Sequence, residues 1–110
     1  MTTVHTLASG SSGNAAVLSC GDTHLLIDAG ISCRRITTAL KELGLAPVEL
    51  TAILVTHTHS DHISGLNTLL KKTDCPILAT PRTCRELDCR FPGIEPRLME
   101  AEGAVTLGEV

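Results

Sequence analysis

Short strand-like runs separated by turn residues fill the first part of the chain, and later segments take helical spacing. Strands are therefore expected first, and strands alternating with helices after them. Residues 2–8 and 15–20 read as strands. Gly21-Asp22 is a tight-turn pair between apolar runs, so residues 23–28 are expected as a third strand paired with the second. Ser32 is placed to cap a helix whose inner face is Cys33, Ile36, Leu40 and Leu43, with Gly44 as its stop. Arg34, Arg35, Thr38, Lys41 and Glu42 fall on the opposite face, which is expected to be a solvated helix surface and not a binding patch.

Pro47 breaks the chain before an unbroken apolar run at 50–55, the mark of a strand covered on both faces. A helix is expected from about residue 61 to 72, with Ile63, Leu66, Leu69 and Leu70 facing inward. Residues 76–79 predict a short strand. Thr80-Pro81 then supplies an N-cap and a first-turn proline for a helix burying Cys84 and Leu87. Residues 97–99 and 104–107 are plausible further strands. There are no repeats and no linker, so the expectation is one mixed α/β domain over residues 1–110.

Composition narrows this picture. The chain has one Phe and no Tyr or Trp, so its core must be aliphatic. A hydrophobic share of 43% argues against disorder. The formal net charge of −3 leaves no overall basic footprint for nucleic acid or an anionic membrane, although a groove can be locally basic. The first residues lack the basic start and apolar run of a signal peptide or membrane span. Cys20, Cys33, Cys75, Cys84 and Cys89 are odd in number and irregularly spaced, which fits free thiols in a reducing cytoplasm. Cys84 and Cys89 lack C-x-x-C spacing and are expected to act as small hydrophobes.

The chemistry concentrates in Thr56-His57-Thr58-His59-Ser60-Asp61-His62, which holds three of the five histidines and one carboxylate. Imidazole nitrogens and carboxylate oxygens are donors for zinc, iron and manganese. Their convergence is costly without a cation, and a solvated His-rich loop is the alternative. The cluster follows a strand directly, where active-site loops of α/β proteins gather. His57 and His59 are two apart in extended backbone and can project the same way. Asp61 and His62, adjacent at a helix start, diverge. Four donors so placed suit two neighbouring ions better than one, and no H-E-x-x-H helix is present.

His57-x-His59-x-Asp61-His62 after an apolar strand resembles the signature of the metallo-β-lactamase fold superfamily. The Ser9-Gly10-Ser11-Ser12-Gly13-Asn14 loop, the strand Leu25-Leu26-Ile27-Asp28-Ala29-Gly30 with its Asp-x-Gly, and Ile63-Ser64-Gly65-Leu66 also match. Within the superfamily these motifs are most similar to the YycJ/WalJ branch of cytoplasmic, DNA-directed phosphodiesterases or exonucleases. The resemblance implies a four-layer αββα sandwich, of which this chain corresponds to the N-terminal half. It further implies a third metal-binding His, a bridging Asp and a final His from a second half. After His62 the sequence contains no histidine, so the chain is expected to be an N-terminal fragment or truncated reading frame.

Carried over by position, the resemblance makes His57 and His59 ligands of a first metal, and Asp61 and His62 ligands of a second. Two divalent ions are implied, zinc foremost with manganese or iron as alternatives; they would acidify a shared water and clamp phosphodiester oxygens. Asp61 would also orient that water or take its proton. Asp28 is expected to support the metal loop through hydrogen bonds; taken alone it reads as a strand-ending turn residue. Residues 9–14 are either a flexible turn or a loop lining the cleft, and no G-x-S-x-G elbow occurs. His5 and His24 have no neighbours to work with and are expected to be structural. Three functions remain open: a phosphodiesterase or exonuclease acting on DNA, a thioester or lactone hydrolase of the same fold, and a catalytically inactive fragment. The half-fold is also expected to expose an apolar face open to self-association.

Overall fold

The computed structural model describes residues 2–9, 13–56, 63, 65–91 and 98–100. The apolar pattern is realised in a six-stranded sheet whose spatial order follows the sequence, β1 to β6. Its strands are β1 (Thr2–Ala8), β2 (Ala15–Cys20), β3 (Thr23–Ile27), β4 (Ala52–Leu54), β5 (Ile77–Ala79) and β6 (Leu98–Glu100). β1 and β2 pair antiparallel, as do β2 and β3; β3, β4, β5 and β6 run parallel. Parallel neighbours need long crossovers. Helix α1 (Cys33–Glu42) lies between β3 and β4, α2 (Leu66–Leu69) between β4 and β5, and α3 (Pro81–Arg90) between β5 and β6.

Side-chain alternation along each strand sorts the sheet into two faces. Val17, Leu26, Ile53 and Ile77 are wholly buried in the main core, together with Ile36 and Leu40 of α1, Leu66 and Leu69 of α2, and Leu87 of α3. Leu25, Ala52 and Leu78 project the other way and form a smaller cluster, flanked by half-buried Leu18 and Leu54. Among the described residues, this second apolar face is open only at its margin. The core is aliphatic as expected, with half-buried Phe91 at its edge.

Both long helices start where the sequence places them. Ser32 Oγ accepts a hydrogen bond from Arg35 N (3.2 Å), and Thr80 Oγ1 accepts one from Thr83 N (3.3 Å). Each satisfies a backbone donor that the first helical turn leaves over. Five elements differ from expectation at a boundary. β3 ends at Ile27 and not at 28, and β5 begins at Ile77 and not at 76. β4 is shorter than 50–55: Pro47–Glu49 forms a 3₁₀ turn, and Thr51 N bonds sideways to His24 O (2.7 Å). α2 stops at Leu69, and 70–72 continue as a turn. The strand expected at 97–99 is shifted to Leu98–Glu100. The expected helix start at 61 and the strand at 104–107 lie outside the described residues.

Candidate functional site

The carboxyl ends of β3 and β4 meet a short turn, residues 28–31, which ties together three distant stretches of the chain. Asp28 stands just past β3 in the left-handed region (φ +63°) and is buried. Such a backbone is uncommon for a residue with a side chain, though Asp tolerates it better than most. Its N–H donates to Leu54 O (2.7 Å), continuing the β3–β4 pairing one step further. Its carboxylate accepts two hydrogen bonds from Thr56, from the backbone N–H (2.8 Å) and the hydroxyl (2.7 Å). Hydrogen bonds to a carboxylate are among the strong kind. Thr56 immediately precedes His57, so Asp28 fixes the point where the histidine segment leaves the sheet.

The next two residues extend this arrangement. Ala29 O accepts from Gly65 N (2.8 Å), fixing the far end of the same segment. Gly30 N donates to Asn14 O (2.8 Å), holding the end of the Ser/Gly loop. Both contacts need glycine nearby. A Cβ on Gly65 would collide with Ile31 O, and a Cβ on Gly13 (φ +144°) would lie 2.6 Å from Gly30 O. Thr56 and Gly65, the residues that flank 57–64, are thus held by two consecutive residues of one turn.

His57, His59, Asp61 and His62, the predicted metal ligands, lie outside the described residues. So do Gly10, Ser11 and Ser12 of the Ser/Gly loop. Among the described residues, no group of three or more His, Cys, Asp or Glu side chains is gathered for a metal. Asp28 is described, and it bonds Thr56, the residue directly before the histidine segment in the sequence. His24 does have a neighbour, contrary to expectation: Ser19 Oγ lies 2.8 Å from its Nδ1 across the β2–β3 ladder, at the end of β3 remote from this turn. All five cysteines are free thiols. Among the described residues no helix is long and apolar enough to cross a membrane.

Sequence reading missed Thr56, Ala29 and the two glycines as partners of Asp28's turn. The available signals were a hydroxyl residue directly before the first histidine, and a glycine three residues after the last.

A mixed sheet with helices packed on one face defines a mixed α/β protein. The profile of the Metallo-beta-lactamase superfamily matches residues 8–92, and the chain belongs to that family. It is 44% identical over 82 residues to the exodeoxyribonuclease WalJ of Streptococcus pneumoniae, a match covering 74% of this chain and 30% of that protein. Against the exodeoxyribonuclease YycJ of Bacillus anthracis it is 40% identical over 82 residues, covering 74% and 31%. The chain thus spans about a third of the length of these curated relatives. Among solved structures, the metallo-beta-lactamase SMB-1 in complex with mercaptoacetic acid superposes with a TM-score of 0.77 at 21% identity, covering 98% of this chain and 50% of that one. At that identity the likeness shows the fold.

Proposed function

We propose that this chain carries part of the centre of a divalent-metal-dependent hydrolase that cleaves DNA phosphodiesters, acting as an exonuclease. The observation that carries this reading is the double anchoring of residues 57–64 on Asp28 and Ala29. It fixes both ends of the stretch whose sequence carries three histidines and one aspartate. The donor set fits a divalent cation of the zinc, manganese or iron type. His57 and His59 would hold one ion and Asp61 and His62 a second. When bound, such ions acidify a water and neutralise charge on the phosphodiester oxygens.

The chain's own residues do the rest. Asp61 orients the attacking water or accepts its proton. Asp28 keeps Thr56, and with it the start of the ligand segment, in one position. The names of the relatives at 44% and 40% identity support DNA as substrate. The five free thiols suit a reducing cytoplasm. A thioester or lactone hydrolase is the second reading, because the same donor set serves that chemistry.

The test is an assay of the full-length gene product with added zinc or manganese. Its substrates are end-labelled DNA, the chromogenic diester bis(p-nitrophenyl) phosphate, a thioester and a lactone. Diester and DNA cleavage abolished by His57→Ala supports the reading, and turnover confined to thioester or lactone overturns it. For the 110-residue chain alone we expect weak metal binding and no turnover, since two protein ligands per ion fall short of a closed shell. Two tightly held metals per chain by elemental analysis would contradict that.

A further inference from the structure

Net charge leaves open how a chain at −3 would hold a polyanion, and the placement of its cations bears on this. Among the described residues, all the lysines and arginines lie on α1, on α3 or in the turn after α2, none on the strands. Two of them, Arg34 and Arg35, occupy the first turn of α1, three and four residues beyond Ile31. They line a groove of about 330 Å³ between α1 and the end of β1, together with Leu7, Ile31, Thr38 and Glu42. Leu7 is brought beside Ile31 by the sheet: Ala8 pairs with Ala15, and Asn14 O binds Gly30 N. The groove therefore starts at the end of the sheet where Asp28 holds Thr56, past the carboxyl ends of β1, β3 and β4.

We propose that this groove is a phosphate-binding track for a DNA strand entering the centre, with Arg34 and Arg35 gripping backbone phosphates. The proposal rests on the nuclease reading above and adds the means of holding the substrate. Both guanidinium-bearing residues are exposed, and among the described residues neither takes part in an ion pair. A guanidinium presents a planar fork matched to phosphate oxygens. Glu42 also lines the groove, but seven residues along α1 from Arg35, about 10 Å away at 1.5 Å per residue. It marks the end that a phosphate avoids, so the groove is polarised with its cationic end toward the site. The competing basic surface on α3 carries three arginines to this groove's two, but there Arg82 is engaged by Glu86 (3.3 Å).

The experiment measures fluorescence anisotropy of a labelled single-stranded oligonucleotide against the full-length gene product in EDTA, so that binding is read without chemistry. The slope of log affinity against log salt should fall by about 0.7 for each phosphate that is no longer neutralised. Arg34→Gln with Arg35→Gln should lower it by roughly twice that, equally for all oligonucleotide sequences. Arg82→Gln with Arg85→Gln should leave it unchanged. The melting temperature of the Arg34/Arg35 variant should stay level or rise, because cations in a first helical turn oppose the macrodipole. An unchanged slope in a folded Arg34/Arg35 variant overturns the proposal, as does an equal loss in the α3 variant. Turnover of bis(p-nitrophenyl) phosphate by the unmodified protein tests the nuclease reading separately. Cleavage with an arginine-independent slope sinks the groove alone, and an arginine-dependent slope without cleavage sinks the nuclease reading alone.

Discussion

Asp28 combines a left-handed backbone, near-complete burial and two hydrogen bonds to one distant residue. Its two requirements can be separated by mutation. Asn tolerates the left-handed region and keeps the volume, but has only one acceptor oxygen and no charge. Asp28→Asn should therefore cost about 2 kcal/mol in urea unfolding, the worth of bonds to a charged acceptor. Asp28→Ala should cost roughly 1 kcal/mol more, for placing Ala at positive φ. Equal stability of Asn and native proteins would mean that the carboxylate does not hold Thr56. Asp28 itself stood out in the sequence through its Asp-x-Gly, whereas its partner did not. Thr56 lies 28 residues away, and nothing local to it announces a contact made only when β3 and β4 align.

Elements were readable where a local signal decides them. The strands β1 and β2 match expectation because the Ser/Gly loop and the Gly21-Asp22 turn bound them in sequence, and α1 and α3 because caps fix their first turns. Thr80→Ala should cost about 1 kcal/mol, and Thr80→Ser should restore most of it; urea titration of both variants checks this, and a neutral Ala variant would show the cap to be idle. The ends of β4 and α2 were not readable, because tertiary pairing sets them. Thr51 bonds to β3's His24 before the ladder begins, and α2 halts although Leu70 would continue its apolar stripe. The groove beside α1 was likewise hidden. Its helix face is solvated as expected, with Arg34, Arg35, Thr38, Lys41 and Glu42 all exposed, and only the fold sets Leu7 of β1 beside it.

Across the whole molecule, burial is uneven. β3 and β4 are central, with Leu26, Ala52 and Ile53 sealed, whereas β1 is an edge strand whose residues 2–6 are exposed. Local opening follows buried contact, so amide hydrogen exchange should be slowest at Leu26 and Ile53 and fastest in β1. Protection in β1 equal to that in β4 would contradict this ordering. The double anchoring has another consequence. Because Thr56 and Gly65 are held by neighbouring residues of one turn, the number of residues between them is nearly independent of the sheet's geometry. Doubling such a closed loop costs only about 0.6 kcal/mol of closure entropy. The six residues between Thr56 and buried Ile63 are therefore an exchangeable cassette: a lineage, or a designer, can rewrite their donors and number while Ile63 and the two anchors stay in place.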